Sequence, residues 1–444
     1  MKTRMNFKDE FYQKLKLLVL PIAIQNFMLA LVSATDAIML GWIDQTSLSA
    51  VSLAGQVQFV LSLFISGIAA GAGIMAAQYW GKQDAASIEK VIPIALRTNL
   101  LFSGLFTILA GFCPEILMRI FTNDAALVAS GSQYLRAVAL SYVLCGISQV
   151  YLILLKNTGH AAVSSRISST AVVLNIILNA ILIYGLCGAP ALGIRGAAYA
   201  TVAARVVELI WAYLETKKPE RVRILWNRLF SSAGKILSED FWRYTLPVLA
   251  ASLVWGIAYV LYSVIMGHMG SDAVAANSIT SIAKSLLSCL IRGVSGGAGV
   301  LIGNLLGANE LEKAREYGGR LSHLSIAIGI VTGGLLMLIS PAIVHFAPLS
   351  DTAAEYLQYM LLFCGLNLMA QSVNTTVLDG IFCAGGDAKF DMQGNIGAMW
   401  CFSVPLGFLA AFWLKLPVMV VYCIVNLDEI VKLPAVYHHY KKYI

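Results

Sequence analysis

The sequence predicts an all-α polytopic membrane protein, with twelve transmembrane helices in two six-helix bundles related by a parallel repeat. Apolar residues make up 58% of the 444 residues and charged residues only 12%, whereas about a quarter of the residues in a soluble domain are charged. The charged residues form short islands between long uncharged stretches. Because no soluble core could bury so much apolar surface, we expect a lipid bilayer to cover most of the chain.

Twelve apolar stretches are long enough to cross a bilayer as helices, for which about 20 residues suffice. We number them spans 1 to 12 in chain order. Span 1 is too long for a signal peptide and lacks a small-residue cleavage site, so we expect a membrane helix there. The predicted bounds are 14–43, 46–80, 91–118, 126–155, 162–187, 191–215, 244–269, 272–305, 320–347, 353–381, 392–414 and 416–433.

The basic residues predict the orientation in the membrane. Most of the 31 Lys and Arg residues lie on one set of alternate loops and span ends, while the other loops hold only Arg119, Arg195 and Lys415. The basic side is expected to be cytoplasmic. An even number of spans then places both termini in the cytoplasm, in a multi-pass protein of the plasma (inner) membrane. The net charge of +7 follows from this topology, and we expect no nucleic-acid partner.

An internal repeat predicts two halves of one design. Leu20-Pro21 matches Leu246-Pro247, and Gly71-Ala72-Gly73 matches Gly297-Ala298-Gly299 in the same ungapped register. Each half has six spans, an even number, so both enter the membrane in the same direction, which suits alternating access by rocking of two bundles. The predicted domains are an N-terminal six-helix bundle at 1–216, a cytoplasmic linker at 217–243 and a C-terminal six-helix bundle at 244–444.

Asp36 is the only charged residue between Leu17 and Ile43. An ionised carboxylate is costly inside a span, and its default interpretation is a functional position such as an ion or proton site. Its counterpart in the register of the repeat is Tyr262, so the C-terminal half lacks an acid at that position. Pro21 lies in the same span, where it removes a backbone hydrogen bond and permits a bend, although prolines are also common in membrane helices without such a role.

Asn175 and Asn179 lie four residues apart in span 5 and therefore share one face of a helix. Asn179 approaches the depth of Asp36, and Thr201 lies near the middle of span 6. A carboxylate, two amides and a hydroxyl brought together could bind a proton or a small hard cation. The alternative is hydrogen bonding between helices, which small polar residues often provide in membranes, and for Thr201 we favour that alternative.

Other charged residues also lie within spans. Lys284 and Arg292 belong to span 8, where Lys284 is deep enough to line a water-filled cavity or to pair with a distant acid. Asp379 lies near the inner end of span 10 and could reach water from there. Arg205 and Glu208 are three residues apart in span 6, so we expect them to pair with each other.

No pattern in the sequence indicates an enzyme. We find no paired catalytic carboxylates, no nucleophile triad and no cluster of metal ligands. The eight cysteines include no C-x-x-C pair and are interpreted as small packing residues. We therefore expect no catalytic residues, no bound metal and no cofactor.

Together these residues resemble the multidrug and toxic compound extrusion (MATE) family of secondary transporters over nearly the whole chain. The resemblance implies two six-helix bundles that export substrates in exchange for protons or sodium ions. It implies that Asp36 is the family's helix 1 acid, and that this helix bends near Pro21 when the acid is protonated. It also places the family's helix 5 polar pair on Asn175 and Asn179. The segments that carry the resemblance are Pro21 with Gln25-Asn26, Asp36 to Gly41, Ala77-Gln78 with Gly81, Leu174 to Asn179, Gly193 to Thr201, and Ala384 to Asp387.

The chain departs from part of that family. Some bacterial members carry a glutamate on helix 7 where this chain has Trp255. The pattern is more similar to the DinF-like branch, in which the N-terminal half holds the coupling site. Some members of that branch have a second acid on helix 5, where this chain has only amides, so both H+ and Na+ stay open as the coupling ion. Trp255, Lys284 and Arg292 are candidates for lining the cavity.

Two functions remain open. The leading hypothesis is a monomeric secondary antiporter that exports amphipathic organic compounds, such as drugs and toxic metabolites. The alternative is a lipid-linked oligosaccharide flippase of the same superfamily, for which Lys284 and Arg292 could supply a basic cavity that binds pyrophosphate. The twelve spans and the isolated Asp36 favour the exporter.

Overall fold

The computed structural model describes residues 7–41, 45–122, 124–224, 226, 229, 234–347 and 349–443, which form helices and connecting turns without a strand. The helices are α1 (Phe7–Gly41), α2 (Gln45–Gly81), α3 (Ala85–Phe112), α4 (Pro114–Arg119), α5 (Ala125–Leu155), α6 (Ala161–Tyr184), α7 (Ile194–Thr216), α8 (Lys235–Gly267), α9 (Ser271–Gly307), α10 (Leu311–Phe346), α11 (Asp351–Thr375), α12 (Ala388–Asn395), α13 (Val404–Phe408), α14 (Val418–Val425) and α15 (Asp428–Tyr443). Wider π-helical turns occur at Thr376–Phe382, Ile396–Ser403 and Leu409–Trp413. A non-helical kink at Lys156–His160 joins α5 to α6.

The structure agrees with the predicted all-α membrane fold, although ten of the described helical stretches are long and apolar enough to count as spans by themselves. Spans 4 and 5 lie in one stretch, Ala125–Tyr184, but the helix is interrupted at Lys156–His160, where Thr158 and Gly159 have non-helical φ angles of −100° and 82°. Span 12 is divided into α14 and α15, each too short to be counted alone. These two places account for the difference from the twelve predicted spans.

The described chain forms two compact units whose limits lie inside helices. One unit comprises Phe27–Leu249, and the other comprises Ala250–Ile444 together with the chain up to Asn26. The limits therefore fall within α1 and α8, whereas the predicted domains follow the sequence repeat. The assignment of 1–216, 217–243 and 244–444 stays a prediction.

Each unit contains a close contact between two helices, and these two contacts occupy equivalent positions of the sequence repeat. In the first unit, a Cβ added to Gly67 of α2 would lie 2.8 Å from the Cα of Leu249 in α8. In the second, a Cβ added to Gly293 of α9 would lie 2.6 Å from the Cβ of Ala23 in α1. Both glycines are thus required by the close approach of a neighbouring helix, and the two contacts join corresponding positions of the repeat.

The turns after α2 and α9 have the same backbone geometry. Gln83 and Asn309, which occupy equivalent positions of the repeat, both have a φ of 60°. Asp84 donates its amide to the carbonyl of Tyr79, as Glu310 does to that of Leu305, with 2.9 Å in both cases. The repeat therefore extends from residue identities to individual hydrogen bonds.

Candidate functional site

The four polar residues predicted for the N-terminal half form one hydrogen-bonded chain in the Phe27–Leu249 unit. Asn179 Nδ2 donates to Asp36 Oδ1 at 2.5 Å and to Asn175 Oδ1 at 3.3 Å. Asn175 Nδ2 donates in turn to Thr201 Oγ1 at 3.3 Å, and the Thr201 hydroxyl donates to the carbonyl of Ala197 at 3.0 Å. The chain thus connects α1, α6 and α7.

Apolar packing holds α1 and α6 together beside these side chains. Leu40 and Ile183 each lie four residues after a site residue, Asp36 and Asn179, on the same helix faces. Both are buried in one core cluster with residues of α2 and α5. The spacing of apolar and polar residues along two helices therefore fixes the distance between the carboxylate and its amide donor.

Two tyrosines that were not predicted also belong to this region. The Tyr184 hydroxyl at the end of α6 donates to the carbonyl of Met39 in α1 at 2.7 Å. Tyr134 of α5 is buried and interacts electrostatically with Asp36. Tyrosines are ordinary components of apolar spans, so neither residue gave a sequence signal apart from its position in one.

The site has unused capacity for a cation. Asn179 is fully buried, and its Oδ1 has no hydrogen-bond partner among the described residues. Both amide hydrogens of an asparagine side chain are on the nitrogen, which here faces two oxygen acceptors, so the oxygen assignment is fixed by the network. A carboxylate beside a free amide oxygen can take up a proton or coordinate a small hard cation.

Pro21 lies inside α1, which continues as one helix from Phe7 to Gly41. Pro247 occupies the corresponding position inside α8. A proline lacks the amide that would close the hydrogen bond one turn back. The hinge role of Pro21 stays a prediction.

The candidates in the C-terminal half have different surroundings. Lys284 is half-buried and donates to Asn367 Oδ1 at 3.1 Å. Arg292 is exposed. The Trp255 ring stacks on Tyr259 with 5.6 Å between centroids and 17° between planes. These residues do not belong to the hydrogen-bonded chain at Asp36, and their part in a cavity stays a prediction.

Arg205 and Glu208 of α7 form an ion pair at 2.5 Å, as their spacing predicts. Glu208 is buried and also accepts a hydrogen bond from the Ser148 hydroxyl of α5 at 3.2 Å. Because both charges are satisfied by each other, this pair is a structural contact between α5 and α7 and not a further part of the site.

Comparison with known proteins shows which family the chain belongs to. The MatE family profile matches it twice, at residues 21–181 and 247–409. The chain belongs to the MatE family. The two matches begin at Pro21 and Pro247, which are equivalent positions of the internal repeat. Members of the MatE family are transporters, so the prediction that the protein is not an enzyme is confirmed.

Curated relatives match at low identity over most of their length. The probable multidrug resistance protein YoeA of Bacillus subtilis is 21% identical over 445 residues, which cover 99% of this chain and 95% of the relative. The probable multidrug resistance protein NorM of Thermotoga maritima is 23% identical, with 92% and 87% covered. The uncharacterized transporter YisQ of Bacillus subtilis is 21% identical, with 88% and 85% covered.

Solved structures of MatE-type transporters share the fold. A MOP superfamily transporter from Pyrococcus furiosus superposes with a TM-score of 0.87 at 19% identity, covering 98% of this chain and 96% of that one. Structures of a MATE transporter in a bent and in a straight conformation give TM-scores of 0.86 and 0.87, at 19% and 20% identity. They cover 98% of this chain and 95% and 96% of those chains. This likeness confirms the twelve-helix fold class.

Proposed function

We propose that the protein is a secondary active antiporter that exports amphipathic organic compounds by alternating access, in exchange for protons or sodium ions. The observation that carries this proposal is the chain from Asp36 through Asn179 and Asn175 to Thr201. An isolated acid in a membrane span, held by a buried amide with a free oxygen, is the arrangement expected of an ion-coupling position. Export requires that ion binding here favours one of two arrangements of the bundles.

The substrate class is supported by the relatives and by the aromatic residues of the C-terminal half. YoeA and NorM are named as probable multidrug resistance proteins, which favours drugs and toxic metabolites as substrates. The stacked Trp255 and Tyr259 rings offer a flat apolar surface with polar edges, suited to amphipathic molecules. We assign the protein to the plasma membrane as a monomer with both termini in the cytoplasm.

The surroundings of Lys284 favour the exporter over the flippase. Pyrophosphate recognition needs cations that are free to contact an anion. Lys284 is instead bonded to Asn367 and interacts electrostatically with Asp428 and Glu429. Nearby carboxylates offset its charge and would repel a second anion.

The test is gradient-driven efflux of a fluorescent cationic dye from proteoliposomes, under a proton gradient and separately under a sodium gradient. We expect Asp36→Asn to abolish coupled efflux while the protein stays folded in the membrane. The matched control is Glu115→Gln, which removes an acid from an exposed ion pair with Arg136 in the same unit. Wild-type efflux by the Asp36→Asn protein would overturn the proposal, and so would efflux that ignores both gradients.

A further inference from the structure

A cavity of about 350 Å³ lies in the Phe27–Leu249 unit, near the C-terminal ends of α5 and α7. Its volume falls within the range of ligand pockets, roughly 300–1,000 Å³. The side chains that line it are apolar or aromatic, namely Tyr151, Leu209, Ile210, Tyr213 and Trp226. None of them belongs to the hydrogen-bonded chain at Asp36, so the cavity is separate from the site described above.

Three aromatic side chains form one fixed wall of the cavity. Trp226 Nε1 donates to the Tyr151 hydroxyl at 2.8 Å. The Tyr151 and Tyr213 rings meet edge to face, with 6.3 Å between their centroids. The indole nitrogen is the only hydrogen-bonding group of a tryptophan side chain, and Tyr151 already occupies it. Trp226 therefore offers the cavity an apolar ring and no free donor, which suits a hydrocarbon chain.

The cavity lies where the chain is predicted to leave the membrane on its cytoplasmic side. Tyr151 and Tyr213 are within four residues of the ends of α5 and α7, and Trp226 belongs to the predicted cytoplasmic linker. Tyrosine and tryptophan are enriched at this depth, where membrane meets water. Ile210 and Leu214 on the adjoining surface of α7 are 53% and 56% exposed, as expected of a surface that faces lipid. Lipid of the cytoplasmic leaflet can therefore reach the cavity from the side.

A lysine follows the apolar residues on the same face of α7. Lys217 lies four residues after Tyr213, and its Nζ is 4.4 Å from the centroid of the Tyr213 ring. The nearby Glu215 carboxylate is already shared by Lys218, at 2.8 Å, and Arg221, at 3.1 Å. Lys217 makes no ion pair with any residue in the described part of the chain. Its ammonium is therefore the cation that remains available beside the cavity.

The segment around the end of α7 carries excess positive charge. Residues 215–223 include four Lys or Arg residues and two Glu residues, and Arg223 is exposed. Basic segments next to a span are attracted to the anionic lipids of the cytoplasmic leaflet. An apolar cavity beside an available ammonium matches a molecule in which a hydrocarbon chain adjoins a negative charge. A cationic drug would instead be repelled by Lys217.

We propose that this cavity binds one anionic phospholipid of the cytoplasmic leaflet. An acyl chain occupies the cavity between Ile210 and Trp226, and Lys217 binds the phosphate of the headgroup. The excess basic charge of residues 215–223 favours a headgroup with a net negative charge over a zwitterionic one. This binding does not depend on the proposed antiport function, so it can be measured without a transport assay.

The test uses phospholipids with brominated acyl chains, which quench the fluorescence of a tryptophan that they contact. Purified protein in a nonionic detergent is titrated with brominated phosphatidylglycerol, and separately with phosphatidylcholine that has the same acyl chains. The chain has eight tryptophans, so the contribution of Trp226 is the difference between wild type and Trp226→Phe. We expect this contribution to be quenched at a lower concentration of phosphatidylglycerol than of phosphatidylcholine.

Two further variants separate the headgroup from the acyl chain. Lys217→Gln should raise the phosphatidylglycerol concentration for half-quenching about fivefold, the effect of one basic residue at a membrane surface, and leave phosphatidylcholine unchanged. Ile210→Phe narrows the cavity and should weaken the binding of both lipids. Lys218→Gln is the matched control, and it should cause a smaller shift because Glu215 already holds the Lys218 ammonium.

Three outcomes would overturn this proposal. One is equal quenching by phosphatidylglycerol and phosphatidylcholine in the wild-type protein. Another is an equal shift in Lys217→Gln and Lys218→Gln, which would mean that the basic segment acts only through its total charge. The third is unchanged quenching in Trp226→Phe, which would place the lipid elsewhere and leave the cavity to another occupant. The first compares two lipids on the unaltered protein, so it decides the question even if a variant does not fold.

Discussion

Asn179 makes both hydrogen bonds that join the Asp36 carboxylate to the rest of the predicted site. We expect Asn179→Ala to reduce coupled efflux by roughly tenfold or more, because a hydrogen bond to a charged group contributes about 1.5–3 kcal/mol and 1.4 kcal/mol corresponds to tenfold. The variant also removes the free amide oxygen. The measurement is the initial rate of gradient-driven efflux from proteoliposomes at matched protein content.

Asn175→Ala is the matched control for that variant. Asn175 lies one turn away on the same helix face and bonds to Thr201 and Asn179, but not to Asp36. A smaller loss is therefore expected. Equal losses in both variants would mean that the amides act only as contacts between helices, which is the alternative interpretation of the pair. A wild-type rate in Asn179→Ala would contradict the assigned role.

The sequence predicts the residues at Asp36 but not the buried acids of the C-terminal half, such as Asp391, for a physical reason. Asp36 stands in a long uncharged stretch, and the spacing of Asn175 and Asn179 fixes one helix face. Asp391 lies one residue before the predicted start of span 11. A charged residue at such a helix end is ordinarily expected to contact water and not to be buried. Its burial depends on α15 packing over it, with Lys432 reaching Asn395, and no local pattern reports such a tertiary contact.

At the scale of single elements, the start of α3 depends on Asp84. Its carboxylate accepts hydrogen bonds from the amide and hydroxyl of Ser87, at 3.0 Å and 2.5 Å. At the equivalent position of the repeat, Glu310 precedes α10 but makes no such cap. We expect Asp84→Ala to destabilise the protein by about 1 kcal/mol. Glu310→Ala should cost less, because Glu310 forms a partly exposed ion pair with Lys313 in place of a cap. Thermal unfolding in detergent measures both.

The effect of Asp84 should also depend on pH. The hydrogen bonds from the Ser87 side chain and backbone lower the pKa of Asp84 from its ordinary value. A lowered folded-state pKa contributes stability above the unfolded value, and this stability is lost as pH falls through the folded value. The difference between wild type and Asp84→Ala should therefore be full at neutral pH and shrink below about pH 4. A difference that is constant across this range would contradict the cap.

The internal repeat made the turns after α2 and α9 predictable as a pair, but not the path of span 12. Gly81 and Gly307 mark equivalent helix ends, and the structure gives equivalent turns there. Within span 12, α14 ends at Val425. The next residue, Asn426, donates from its Nδ2 to the carbonyl of Tyr422, and its own carbonyl accepts a hydrogen bond from Asn367. The Asn426 carbonyl can accept this hydrogen bond because the helix breaks there. The donor, Asn367, lies on α11, so the break depends on a residue that is distant in the sequence.

At the scale of the whole molecule, the two halves share a plan but differ in chemistry. The reciprocal contacts at Gly67 and Gly293 and the two family matches establish the shared plan. The acids do not follow it, since Asp36 corresponds to Tyr262 and Lys284 corresponds to Gln58. A transporter with equivalent scaffolds and different ion sites can bind a coupling ion in one half without an identical event in the other.

The predicted orientation of the whole chain can be tested with its own cysteines. Cys187 is exposed in the turn between α6 and α7, on the side that the basic residues predict to be external. Cys113 lies toward the same side, so it is replaced in a Cys113→Ser strain to leave Cys187 as the target. In intact cells of that strain, we expect a membrane-impermeant thiol reagent to label Cys187. Cys187→Ser should remove the label.

Lys235→Cys supplies the internal control for this labelling. Lys235 begins α8 and its side chain is 88% exposed, on the side predicted to be cytoplasmic, so the introduced thiol should react only after permeabilisation. The opposite pattern would invert the orientation and place Asp379 toward the outside. Labelling of both positions in intact cells would require an even number of crossings between them. The α6–α7 turn and α8 are separated by α7 alone, which is 23 residues long and sufficient for one crossing. The result therefore tests directly whether α7 spans the membrane.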